Sequence, residues 1–158
     1  MIKNHWVFNV KTDGRKKARL VGKGFSQVKG MDYNQIFSPV VRFETVRIVL
    51  ILSVLESQHI SGLDVRNAYL YGILNEEIYM EQPEGFIAKG QERKVLQLKH
   101  ALYGLKQAGL AWWQALNKSM MELGFKHLSA DANIFVYKAK DRCIVVAVIY
   151  VDDALFCG

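Results

Sequence analysis

The 158-residue chain has only two cysteines, Cys143 and Cys157. Their spacing is not that of metal ligands. Nor does it suit a disulfide: a hairpin turning at Val151-Asp152 pairs Cys157 with Val146 and puts Cys143 on the opposite face. A reducing compartment is favoured. No secretory signal is visible. The longest apolar run, 46–55, is broken by Arg47 and Ser53 and is far short of the ~20 residues a membrane span needs. It reads as a core helix, and no membrane partner is expected. Internal repeats and low-complexity linkers are absent. Acid is scarce at one end: from Lys3 to Lys29 there are eight Lys or Arg against one acid, Asp13, within a net charge of +6. Such an end points to a polyanionic partner, most often nucleic acid, or else to a solvated charged face. An apolar fraction of 51% with 23% charged residues fits a folded chain of about one domain.

Glycine is also missing where it would be expected most. Residues 144–157 read as strand, tight turn and return strand. The β-branched and aromatic runs do not alternate with polar residues, so both faces should be covered. A two-residue hairpin turn normally uses Asn-Gly or another glycine pair. Here the centre is Val151-Asp152, followed by Asp153. A local rule is broken where two carboxylates are placed, a pattern associated with functional sites. Adjacent like charges repel, and a divalent cation with hard oxygen ligands, such as magnesium, removes the conflict. A solvent-exposed turn is the plainer alternative.

Along the rest of the chain, 6–10 and 16–24 read as a hairpin closed by Asp13-Gly14, with its basic side chains on one surface. Gly22 and Gly24 permit close backbone approach. Residues 27–41 look irregular. Thr45 is a plausible N-cap for a helix to about Ser57, apolar nearly all round and so buried nearly all round. Residues 59–65 form a strand ending in Asp64, which reads equally as a helix N-cap or a metal ligand. One or two helical turns over 66–72 are closed by Gly72. A strand from Ile78 leads into a turn at 83–86, with a polar loop over 88–93. A strand covers 95–98 and a loop 102–106. A helix over 107–123 stops at Gly124, with Trp112 and Trp113 as core residues. A strand over 132–137 and a charged turn over 138–142 precede the hairpin. Asp64 and Asp152 are 88 positions apart, so only folding brings them together. Three carboxylates converging on two divalent ions is the design of two-metal phosphoryl transfer.

Several blocks carry a resemblance. They are Tyr-Val-Asp-Asp at 150–153, Leu-Asp-Val-Arg-Asn-Ala-Tyr-Leu-Tyr-Gly at 63–72 and Ala-Leu-Tyr-Gly-Leu-Lys-Gln-Ala at 101–108. Lys-Ala-Arg-Leu-Val at 17–21, Phe-Ser-Pro-Val-Val-Arg at 37–42 and Ile-Tyr-Met-Glu-Gln-Pro-Glu-Gly-Phe at 78–86 accompany them. Tyr-x-Asp-Asp alone is a weak signal; the blocks in this order are specific. From about Trp6 to Gly158 the chain resembles the reverse transcriptase of copia-type (Ty-type) LTR retrotransposons.

The resemblance implies an α+β fold: fingers plus the ferredoxin-like palm of a right-handed polymerase, truncated before the thumb. Fingers would take 1–58 and 75–100, palm 59–74 and 101–158. The activity implied is nucleotidyl transfer to a primer 3′-OH on an RNA or DNA template, from deoxynucleoside triphosphates. The cofactor would be two Mg2+ ions, or Mn2+. Asp64, Asp152 and Asp153 would be catalytic and, with the Val65 carbonyl, hold metal. Lys17, Arg19, Tyr69, Gly104 and Lys106 would serve the incoming nucleotide, Tyr69 as the aromatic that excludes a ribose 2′-OH or else as a core tyrosine. Lys16, Lys23, Tyr150 and Val151 would meet nucleic acid. The site of action would be the cytoplasm, in the parent element's particle. Two departures stand out. Gly109-Leu110 replaces the family's Pro-Arg, weakening a helix start, and the thumb and RNase H of the parent polyprotein are missing. They support an alternative, a catalytically inactive retroelement remnant that at most binds nucleic acid. A nucleotidyl cyclase uses a similar sheet and two acids but has no reason to carry Tyr69.

Overall fold

The Asp13-Gly14 turn folds the first two strands onto each other. β1 (Asn4–Val10) and β2 (Lys16–Gly22) pair antiparallel with Trp6 opposite Leu20. In the computed structural model, residues 1–139 and 144–158 are described; Cys143 and part of the charged turn expected over 138–142 lie outside them. The chain packs as two units, Met1–Phe37 with Tyr69–Trp112, and Ser38–Ala68 with Trp113–Gly158.

In the first unit β2 ends at Gly22, two residues early, because Gly24–Ser26 turns as a short 3-10 helix. The basic residues of β2 do not share one surface. Side chains alternate along a strand, so Lys17 and Arg19 lie half-buried on one face and Lys16 is exposed on the other. A 3-10 turn at Ala68–Tyr71 leads into β4 (Ile73–Met80), which begins earlier than expected and pairs antiparallel with β5 (Leu96–His100). Ile2 bridges to Met80 and is buried with Leu74, Ile78, Ala101 and Leu105. Gly72 does not close the 3-10 turn through a left-handed φ. Its role is contact: a Cβ there would stand 2.7 Å from the Ala111 carbonyl carbon and the Trp112 nitrogen.

The second unit is built on a five-stranded antiparallel sheet. β3 (Ile60–Asp64), β6 (Lys126–His127), β7 (Ile134–Lys138), β8 (Ile144–Tyr150) and β9 (Asp153–Cys157) lie in the order β3-β9-β8-β7-β6. Two-residue β6 is too short to leave a periodic signal. β8 and β9 form the expected hairpin, with Cys157 opposite Val146, and it is covered on both faces as its unbroken apolar runs require. Ala147, Ile149 and Ala154 pack with Phe135 and Met120; Val148 packs with Ile134 and Val41 and is flanked by Val46, Val49 and Leu155. Among the described residues the result is a mixed α/β chain of small sheets and two α-helices, compatible with the expected fingers and palm fragment.

Both helices differ from their sequence readings. α1 (Phe43–Leu55) is entered through Arg42 in extended backbone with no side-chain cap, so Thr45 is inside the first turn rather than at the N-cap. Nor is α1 buried all round. Val46, Val49 and Leu50 are half-buried and Ser53 is buried, but Ile48, Ile51, Leu52 and Leu55 are each more than half exposed. Hydropathy says which faces could be covered, not which are. α2 (Ala108–Glu122) ends before Gly124 at φ +88°, the left-handed stop that glycine permits. Trp112 is buried and Trp113 half-buried, whereas Leu123 is 67% exposed.

Candidate active site

β3 ends at Asp64 and β9 begins at Asp153, and the register sets these two residues directly opposite each other. Tyr150 pairs with Asp153 from the other side. Opposed residues in an antiparallel pair project to one face, so the two carboxylates share a surface. Asp152 occupies the turn, and its carbonyl accepts a hydrogen bond from the Val65 N–H at 2.8 Å. That bond fastens the hairpin tip to the end of β3. Val151 takes φ +56°, so the two-residue turn forms without glycine at the expense of a strained β-branched residue.

Asp64 and Asp153 are exposed and Asp152 is half-buried. Among the described residues none of the three carboxylates has a hydrogen-bond or ion-pair partner. Asp64, Tyr150 and Asp153 edge a cleft of about 520 Å³ whose remaining walls, including Val46, Leu50 and Val148, are mostly apolar. Carboxylate and carbonyl oxygens are the donors magnesium takes, and that ion is usually held by one or two carboxylates plus substrate phosphates. The facing pair Asp64 and Asp153 fits that requirement. Among the described residues no three His, Cys, Asp or Glu stand together as a cage.

The residues expected to serve the nucleotide all fall in the first unit. The Arg19 guanidinium lies over the Tyr103 ring, 5.0 Å from its centroid, and Tyr103 meets Tyr69 edge-on at 5.0 Å. Tyr69 is half-buried against the Leu74–Ile78 core. Gly104, at φ +88°, lets its backbone touch Gly22, whose N–H donates to the Tyr103 carbonyl at 2.7 Å. The expected close approach of Gly22 and Gly24 is thus made to the 103–105 loop. Lys106 places its Nζ 5.2 Å from the Tyr33 ring centroid. Lys17 is half-buried beside Arg19, Lys16 is exposed, and Lys23 follows the end of β2. Gly109 and Leu110 do occupy the first turn of α2.

Residue-by-residue reading missed Tyr103 and the buried amides Gln27 and Gln107. Gln27 donates to Gln107 at 3.0 Å and accepts from the Lys106 N–H at 2.8 Å. Gln107 in turn donates to the Asp32 carbonyl at 2.9 Å. Gln107 lies inside the 101–108 block, but Gln27 is 80 positions away and has no local signal.

Residues 1–158 match the family described as reverse transcriptase (RNA-dependent DNA polymerase). The chain belongs to that family. It is 41% identical, over 99% of its length, to the "Retrovirus-related Pol polyprotein from transposon TNT 1-94" of Nicotiana tabacum. It is 44% identical, over 97% of its length, to the corresponding polyprotein from transposon RE1 of Arabidopsis thaliana. The "Transposon Ty1-BL Gag-Pol polyprotein" of Saccharomyces cerevisiae is 30% identical over 92% of the chain. These relatives are copia-type Pol polyproteins, and the chain spans only 12%, 11% and 8% of their respective lengths. No solved structure gives a significant match. Among the described residues no helix is long and apolar enough to cross a membrane.

Proposed function

We propose that this reverse transcriptase domain is the fingers and palm portion of a copia-type polymerase. It would add deoxynucleotides to a primer 3′-OH on an RNA or DNA template. The observation that carries the reading is the opposition of Asp64 and Asp153 across β3 and β9, with Asp152 in the adjoining turn. In this reading residues 59–74 and 101–158 are the palm, whose five-stranded sheet lies in the second unit. Its strand order β3-β9-β8 is the one three strands of a ferredoxin-like sheet would have. The first unit supplies most of the fingers.

Asp64, Asp152, Asp153 and the Val65 carbonyl would hold two divalent ions, Mg2+ or Mn2+. Bound there, the ions would lower the pKa of the primer hydroxyl and neutralise the leaving pyrophosphate. The chain's own residues do the positioning. Arg19, Lys17 and Lys106 offer cations to the triphosphate, Gly104 leaves room beside the templating pair, and Tyr69 closes the space a 2′-OH would need. Lys16, Lys23, Tyr150 and Val151 face template and primer. The working site would be the cytoplasmic particle of the parent element. The thumb and RNase H would come from the rest of the polyprotein.

The test is primer extension, on an annealed RNA template with Mg2+, by the parent polymerase that contains this chain. Extension that Asp152→Asn abolishes supports the reading, and extension that survives the substitution refutes it. A second reading, an inactive remnant that at most binds nucleic acid, is favoured by Gly109-Leu110 standing in the first turn of α2 where the family has Pro-Arg. It predicts no extension, with weak binding to primer–template that falls steeply as salt rises.

A further inference from the structure

Tyr103 stands between two residues that the proposed function puts on opposite ends of one nucleotide. Its ring carries the Arg19 guanidinium, with the Cζ 5.0 Å from the ring centroid, and also meets the Tyr69 ring edge-on at 5.0 Å between centroids. The interplanar angle to Tyr69 is 66°, the edge-to-face geometry in which a ring's positive rim meets a negative face. Both contacts use the same Tyr103 ring, so a displacement of that ring alters both at once. The Arg19 Nε is buried with no hydrogen-bond partner.

Tyr103 itself is anchored. Its carbonyl accepts the Gly22 N–H at 2.7 Å, and the next residue, Gly104, is wedged against the Gly22 backbone in a left-handed conformation. The backbone that carries the ring therefore cannot leave β2 without breaking that contact, and the ring cannot rotate without disturbing Arg19 or Tyr69.

We infer that Tyr103 is a positioning residue for sugar selection: through its ring, engagement of a triphosphate by Arg19 sets where the Tyr69 ring stands against the 2′ position. This deepens the proposed function and rests on its assignment of Arg19 and Tyr69 to the nucleotide. Tyr103 need not touch the nucleotide. What it adds is coupling, so that a change at the phosphate end alters discrimination at the sugar end.

The experiment is equilibrium binding of dATP and of ATP to the chain with a dideoxy-terminated primer–template and Mg2+, read as the ratio of the two affinities. Tyr103→Leu should lower the dATP preference about fivefold, the equivalent of ~1 kcal/mol for one aromatic pair. Tyr103→Phe, which keeps the ring, should preserve it. Arg19→Gln should weaken both nucleotides and also shift the ratio, which a simple phosphate contact would not do. Tyr69→Ala combined with Tyr103→Leu should be no less selective than Tyr69→Ala alone, the non-additivity of residues acting together. A folded Tyr103→Leu protein that keeps the wild-type ratio overturns the role of Tyr103. Should that variant not fold, an unchanged ratio in Arg19→Gln overturns it equally. A wild-type chain that binds neither nucleotide, or both equally, overturns the underlying assignment instead.

Discussion

Gly104→Ala should cost this chain a large part of its stability, and the structure separates the cost into two terms. Gly104 sits at φ +88°, where an alanine pays about 1–2 kcal/mol for left-handed backbone. A stiffer unfolded chain offsets about 0.4–1 kcal/mol of that. The second term is contact. The new Cβ would collide with the Gly22 carbonyl oxygen and stand 2.7 Å from Val21 Cγ1. The oxygen belongs to backbone and cannot swing aside, and the Gly22 N–H to Tyr103 carbonyl bond holds the two segments together. Overpacking of this kind adds about 1–3 kcal/mol, for a net loss of ~1–4.5 kcal/mol. Two other glycines isolate the terms. Gly30 has φ +85° and open space around its Cβ position, so Gly30→Ala carries only the backbone term, a net loss of about 0–1.5 kcal/mol. Gly62, on β3, has neither strain nor a neighbour within 4 Å, and Gly62→Ala should be neutral or slightly stabilising. Urea unfolding with unchanged slopes reads all three. If Gly104→Ala and Gly30→Ala lie within about 0.5 kcal/mol of each other, the packing argument is wrong.

Three further outcomes are expected. Gln27→Ala should lower stability by about 2–4 kcal/mol, because it strands both the Gln107 amide oxygen and the Lys106 N–H in a buried region; thermal melting against Gln27→Glu and wild type checks this. Phe135→Ala removes a ring at 0% exposure and should cost about 3–5 kcal/mol, read by the urea midpoint. Hydrogen bonds from the Arg15 side chain, then its backbone N–H, hold the Asp13 carboxyl below its ordinary value. A depressed carboxyl stabilises above its unfolded value, and the contribution is lost as pH falls through the folded one. Asp13 is fully exposed, so Asp13→Asn should leave the acid-unfolding midpoint where it is, and a clear shift in that midpoint would contradict the surface assignment.

How much of this was legible depends on how local each feature is. The β8–β9 hairpin, its register and its covered faces could be read from 14 consecutive residues, because unbroken β-branched runs and a two-residue turn are short-range signals. The same holds for the β1–β2 hairpin and for Gly124 as a helix stop. The family blocks also named Asp64, Tyr69 and Gly104 without any coordinates. Misreadings came where a partner decides. Thr45 had the chemistry of a cap, but the chain enters α1 through Arg42, whose N–H reaches Asp131 89 positions away at 3.4 Å. The outer face of α1 has the composition of a core and is exposed nonetheless.

The sequence by itself determined the alternation of its strands, the turn without glycine at Val151-Asp152 and membership in its family, since each depends on neighbours in the chain or on letters in order. Tertiary structure alone decided that Asp64 faces Asp153, that Tyr103 meets both Arg19 and Tyr69, and that Gly72, besides ending its turn, is needed for a close contact with α2. Those are pairings between distant segments. Strand register and backbone approach are fixed by how whole elements dock, and no local periodicity encodes them.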